Sequence, residues 1–263
     1  MHFTKFDFLT LWVKDGIRQT NIDWYVNHLG LNIGWDSPGE KLTLLQFPSK
    51  QAMTLLAHYP DDITLPEGEV RVCLTVYNLQ ETKLYLDRAG IHTTEIHQTP
   101  WCSNAFDFFD LQGTRLTATS LPALPLSQEK SKHMFHSYFL HIMVSDLSAA
   151  RQWYSEFLGM IPVEHSSSEH YYMMRMPEDE KVEFPIFFSK GKESIDLRSS
   201  KETSITAIRP FFQLAGKTQL EQTHAIFKSN CIEVTEITGK HDDFMRWFDF
   251  TDPNGNQLHA IAY

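Results

Sequence analysis

The chain has 263 residues, 42% of them hydrophobic and 21% charged, an ordinary soluble globular balance with room for two domains. Acidic residues outnumber basic ones 33 to 23, and the formal net charge of −10 disfavours nonspecific binding to nucleic acid or to an anionic membrane surface. Cys73, Cys102 and Cys231 lie far apart without a CxxC spacing, so neither a disulfide framework nor a thiolate zinc site is indicated. No basic leader feeds a long apolar run and no stretch approaches about 18 apolar residues, so the chain reads as cytosolic, without signal peptide or membrane span.

In chain order, Phe6–Val13 is apolar and rich in strand formers. Asn21–Leu29 then places Ile22, Tyr25, Val26 and Leu29 on one helical face, and Gly30 suits the left-handed residue that closes a helix. Strands at Leu31–Trp35, Leu42–Phe47 and Met53–Ala57 complete a β-α-β-β-β order. Past an acidic loop over Asp61–Gly68 the order returns. It runs through strand Glu69–Val76, helix Leu79–Ala89 closed by Gly90, and strands Thr93–His97, Phe106–Phe109 and Leu116–Ala118. Leu121–Lys132 carries two prolines and then a polar, charged run, the composition of a linker. A third unit follows with strand Tyr138–Val144, a helix capped by Ser148, and strands around Ile161–Glu164, Tyr171–Met176 and Val182–Phe188. The fourth has strand Ala207–Leu214, helix Thr218–Ser229 and the closing stretch Phe248–Tyr263, while Glu178–Lys181 and Lys190–Ser204 read as solvated loops.

Two stretches repeat. Phe106–Thr117 (FDFFDLQGTRLT) matches Phe248–His259 (FDFTDPNGNQLH) at Phe, Asp, Phe, Asp, Gly and Leu without a gap. Trp24-Tyr25 followed by Leu29-Gly30 returns as Trp153-Tyr154 followed by Leu158-Gly159, with Val13-Lys14-Asp15 and Val144-Ser145-Asp146 upstream. Repetition in the same order indicates an internal duplication. Asp252-Pro253-Asn254-Gly255 is a tight turn: Pro presets φ, and Asn and Gly tolerate the positive φ of the exit.

These features resemble the vicinal oxygen chelate superfamily of glyoxalase, bleomycin-resistance and extradiol-dioxygenase proteins. The strongest pieces are His141-x-x-Val144-x-Asp146 running into Trp153-Tyr154 and Leu158-Gly159, and Phe248–His259. The resemblance implies an α+β fold of four βαβββ units paired into two tandem domains, residues 1–120 and 135–263, joined by a linker at 121–134. Catalytic members hold a divalent metal in a cup, and the expected ion is Fe, Mn, Zn or Ni. Carried over position by position, the metal ligands fall on His141 and His259, where the family more often has Glu at the second. The remaining positions of that domain fall on Arg209 and near Pro185, and those of the N-terminal domain on Thr10, Thr117 and Arg71, none a usual ligand for a divalent metal.

Two histidines are too few donors for a metal centre, and His170 and Glu183 are candidates for a third. The alternative is a pair of partly buried, hydrogen-bonded histidines. Arg71 and Arg209 hold corresponding positions; in a cup they would attract a carboxylate or phosphate and oppose a cation. Their alternative is pairing with a buried acidic residue or an outward orientation. His133 and His136 read as solvated, and Trp24-Tyr25 and Trp153-Tyr154 as helix-to-sheet packing. No nucleophile triad or phosphate-cradling glycine loop can be assembled. Two functions stay open. One is a metal-dependent enzyme acting on a small molecule with vicinal oxygens, as a ring-cleavage dioxygenase or a glyoxalase-like lyase, in the C-terminal cup. The other is a metal-free binding protein of the bleomycin-resistance type, with Arg71 or Arg209 anchoring the ligand. The expected partner is a small molecule, with no nucleic acid or membrane; the resemblance leaves a homodimer open.

Overall fold

The computed structural model describes residues 3–59, 61, 68–101, 103–120, 135–164, 167–191 and 206–263. The linker expected at 121–134, His133, Cys102 and most of the loops expected over 61–68 and 190–204 lie outside the described residues.

The fold is mixed α+β, made of four repeats of strand, helix and strands. The first is β1 (Phe3–Lys14), α1 (Arg18–Leu29), β2 (Asn32–Ser37), β3 (Leu42–Gln46) and β4 (Ala52–Tyr59). The second is β5 (Val70–Val76), α2 (Leu79–Arg88), β6 (His97–Gln98), β7 (Asn104–Phe109) and β8 (Arg115–Thr119). The third is β9 (Phe135–Val144), α3 (Leu147–Leu158), β10 (Ile161–Pro162), β11 (Tyr171–Arg175) and β12 (Ile186–Lys190). The fourth is β13 (Ile208–Leu214), α4 (Lys217–Ser229), β14 (Arg246–Thr251) and β15 (Gln257–Ala262), with single bridges at Val234 and Thr238 in place of a strand after the helix.

Two local expectations are corrected. Asp146, not Ser148, caps α3: its Oδ1 accepts the N–H of Ser148 at 2.8 Å and of Ala149 at 2.9 Å. A carboxylate there meets the positive end of the helix dipole as well as two orphan donors. The strand expected from Val182 begins only at Ile186. Asp179 holds Glu183 and Phe184 in a turn through their N–H groups at 2.8 and 2.9 Å, and Val182 takes φ 55 there. The glycine closure of α1 is as expected, with Gly30 left-handed at φ 70, and Gly159 ends α3 in the same way at φ 71.

The described chain divides into two compact units. Unit 1 comprises Met1–Leu9, Gly68–Val70 and Ile142–Tyr263; unit 2 comprises Thr10–Glu67 and Arg71–His141. Strands β1 and β9 contribute residues to both.

Unit 1 contains the strand runs β14-β15-β13-β1 and β10-β11-β12-β9. β13 runs parallel to β15, and β14 antiparallel to it. On the face toward α4, Phe227 meets Phe248 and Phe250 at ring distances of 6.0 and 5.1 Å, and Phe3 at 6.3 Å. Pleating sends Asp249 and His259 to the other face, since they are cross-strand partners one residue out of step with Phe248 and Ala260.

Unit 2 contains the runs β1-β4-β3-β2 and β9-β5-β8-β7-β6. Its core includes Leu79, Leu86, Phe106, Phe108, Leu116 and Phe135, all buried. β5 runs parallel to β8, with Cys73 opposite Thr117, which is the register that places Phe211 opposite His259 in unit 1.

Each unit repeats one buried lock. In unit 2 Asp110 accepts the Tyr25 hydroxyl at 2.9 Å and the N–H groups of Gln112 and Thr114 at 2.9 and 2.8 Å. In unit 1 Asp252 accepts the Tyr154 hydroxyl at 2.8 Å and the N–H groups of Asn254 and Asn256, each at 2.8 Å. The repeated tyrosine therefore ties its helix to the repeated turn, and a charged acceptor makes such a bond worth about 1.5–3 kcal/mol. Among the described residues, no helix is long and apolar enough to cross a membrane.

Candidate functional site

In unit 1 the face of β13–β15 turned away from α4 gathers Arg209, Phe211, Asp249, Gln257 and His259. Strand alternation puts Arg209 beside Phe211 on β13, and the parallel register sets Phe211 opposite His259. The Phe211 and His259 rings stack at 4.3 Å and 15°, and Phe8 stacks on Phe211 at 4.6 Å and 17°. His259 is 2% exposed. Its Nδ1 lies 2.7 Å from Oδ1 of Asp249, off the angle of a linear hydrogen bond but within ion-pair reach, and its Nε2 is buried without a hydrogen-bond partner among the described residues.

Arg209 has a side chain only 4% exposed, with Nη1 3.7 Å from Oδ2 of Asp249 and Nη2 3.5 Å from Oε1 of Gln257. Asp249 thus faces an imidazole with one oxygen and a guanidinium with the other. Burial alone would raise its carboxyl, but His259 and Arg209 outweigh that and hold it below the usual range. Burial pushes the His259 imidazole below its usual range, with Asp249 opposing in part and Arg209 adding to the fall.

Unit 2 builds the matching face differently. Asp107, the counterpart of Asp249, accepts the Thr117 hydroxyl at 2.7 Å and lies 3.6 Å from the Arg115 guanidinium. Burial pushes the Cys73 thiol upward, the wrong direction for a nucleophile. His141 is buried, with the Trp101 ring at 4.8 Å edge-on, and Trp101 meets Phe139 at 5.9 Å. Burial first, and the Arg71 charge second, lower the His141 pKa to about 3. Thr10 and Thr54 pair their hydroxyls at 2.6 Å.

His141 falls in unit 2 and His259 in unit 1, so neither unit by itself holds both. Arg209 joins His259, and Arg71 acts on His141. His170 and Glu183 are exposed, His170 beside Glu169. His136 is half-buried, with Nδ1 3.1 Å from the Tyr77 hydroxyl. Asp249 was not among the candidates from sequence, although the repeat marks it: it recurs as Asp107 directly across the hairpin from the His259 position.

A divalent metal needs three or four protein donors. Among the described residues no three His, Cys, Asp or Glu side chains come together for one. Besides Asp249, the charge that acts on His259 is the Arg209 guanidinium, which repels a cation. This donor set does not fit a metal centre.

Residues 133–260 match the family profile of the Glyoxalase/Bleomycin resistance protein/Dioxygenase superfamily. A search of curated proteins returns no match. Glyoxalase I from Zea mays is similar in structure, with a TM-score of 0.67 at 14% identity over 98% of this chain and 92% of that one. A protein of Bacillus subtilis subsp. subtilis str. 168, provisionally named a dioxygenase, is similar with a TM-score of 0.64 at 11% identity, over 99% of this chain and 86% of that one. At such identities the likeness carries the fold alone. The match to the Glyoxalase/Bleomycin resistance protein/Dioxygenase superfamily thus covers just under half of the chain, residues 133–260.

Proposed function

We propose that this chain binds a small organic acid on the β13–β15 face of unit 1, and does so without a metal. Arg209 takes the carboxylate, and Phe211 and Phe8 pack the apolar body of the ligand. One observation carries the reading. The cluster around His259 holds a buried guanidinium, where a metal centre would need a further imidazole or carboxylate. The ligand is assigned to Arg209 rather than to Arg71 because of what stands at the His259 position in unit 2. There Thr117 already donates its hydroxyl to Asp107, whereas His259 keeps an open nitrogen.

Calorimetric titration with phenylacetate tests this directly. Binding at one site per chain, lost in Arg209→Met, is the expected result; unaltered binding in that variant would remove Arg209 from the site.

The second reading is a metal-dependent enzyme, glyoxalase- or dioxygenase-like, acting on vicinal oxygens with His141 and His259 as ligands. What favours it is the superfamily itself, which matches over the half of the chain that contains both histidines. Near-stoichiometric metal in untagged protein, absent from the His141→Ala, His259→Ala double variant, would establish it over the first.

A further inference from the structure

We infer that Nε2 of His259 is a hydrogen-bond acceptor for the ligand, so that the ligand is a small acid carrying a hydroxyl as well as its carboxylate. This rests on the proposed acid-binding face and specifies its ligand class. The reasoning begins with the proton on the ring. A carboxylate oxygen 2.7 Å from Nδ1 cannot face a bare lone pair, so Nδ1 carries the hydrogen. The Arg209 guanidinium already balances that carboxylate, and a second positive charge on a ring 2% exposed would be buried without a counter-ion, so the imidazole is neutral. A neutral ring with its hydrogen on Nδ1 has an unprotonated Nε2, an acceptor only.

That acceptor is buried, and no described side chain or backbone group donates to it. Buried polar atoms are normally paired, and an exception in a folded protein points to a missing partner. The missing partner must be a donor. A metal would use the same lone pair, but the donor set around it does not support one.

Position gives the rest of the ligand. Arg209 and His259 approach the two oxygens of one carboxylate, Asp249, and stand on the same face of β13–β15. A ligand that meets the guanidinium with a carboxylate and Nε2 with an O–H carries both groups on one small molecule, as a hydroxy acid does. The half-buried Phe211 covers the ring from one face at 4.3 Å and is the side chain that must shift to admit the hydroxyl. A site that hydrogen-bonds a hydroxyl discriminates strongly against an analogue without it, because the buried acceptor is then left unpaired.

The test compares mandelate, phenylacetate and α-methoxyphenylacetate by calorimetry on wild-type protein and on His259→Phe. This substitution keeps a stacked ring and removes the acceptor. Mandelate should bind wild type about tenfold or more tighter than either analogue. In His259→Phe the three should bind alike, near the wild-type affinity for phenylacetate. Equal binding of the three acids by wild type overturns the hydroxyl inference and leaves the acid-binding face standing; no binding of any of them overturns both. A second measurement does not depend on the variant folding. The ¹⁵N resonance of His259 Nε2 in wild type should move with mandelate and stay with phenylacetate, and a resonance unmoved by bound mandelate overturns the inference.

Discussion

The two repeated hairpins share a frame and differ in one partner. Asp107 in unit 2 and Asp249 in unit 1 occupy the same place on the same strand, each across from the residue four past the turn glycine. In unit 2 that residue is Thr117, whose hydroxyl is donated to Asp107, and the pair is complete. In unit 1 it is His259, which answers Asp249 with one nitrogen and leaves the other open. A duplicated fold can thus keep a satisfied, structural version of a polar pair in one copy while the other becomes a receptor. The difference comes from side-chain chemistry alone, since the strand register is the same in both.

The largest effect should fall on what the copies have in common. Asp252→Ala strips a partner from the Tyr154 hydroxyl and two backbone N–H groups, and Asp110→Ala does the same in unit 2. Each should lower unfolding free energy by about 3 kcal/mol in urea denaturation. A markedly smaller loss in one unit would mean that its lock is not equivalent.

Next comes the arginine pair. Arg209→Met should weaken phenylacetate binding by roughly tenfold or more, as expected for loss of a charge-assisted contact, while Arg71→Met leaves it within about twofold. Equal losses from both would erase the distinction between the units.

A pH experiment reads the buried imidazoles, His141 in unit 2 and His259 in unit 1, both lowered by burial. His141 has its folded pKa lowered to about 3, from an ordinary value near 6.5, so its stabilising contribution is complete above pH 6.5. That contribution is lost as the pH falls from there toward 3, at up to about 1.4 kcal/mol per pH unit. Denaturation curves between pH 7 and pH 5 should show this slope, and His141→Phe should remove the part that belongs to unit 2 and leave that of His259.

The smallest effect separates the helix starts. α3 is capped by Asp146, whereas α1 has no side-chain cap although Asp15 matches Asp146 in the repeat. Asp146→Ala should cost about 1 kcal/mol in thermal or urea unfolding, with Asp15→Ala nearly silent.

Much of the frame could be read from the sequence. Strand periodicity, the glycines after α1 and α2, and the duplicated Phe-Asp-Phe hairpin carry the kind and order of the elements. Ends were less legible because a local polar side chain decided them: Asp179 delays β12, and Asp146 rather than Ser148 starts α3. At the proposed site, position alone singles out His259, as a metal ligand, and Arg209, as an anion anchor. Asp249 was missed because aspartate before a turn has an ordinary structural meaning, and only cross-strand register shows that it faces His259. His141 illustrates the other limit. Sequence order groups it with the C-terminal repeats, but compactness groups the strand up to His141 with unit 2 and the residues from Ile142 with unit 1.

The most direct measurement is a calorimetric titration of mandelate into protein stripped with EDTA, repeated after loading with Fe(II), Mn(II), Zn(II) or Ni(II). A metal-independent acid site anchored on Arg209 gives the same affinity and one site per chain in every sample. Binding that appears only with a stoichiometric metal, and vanishes in the His141→Ala, His259→Ala variant, would contradict it and establish a metal centre.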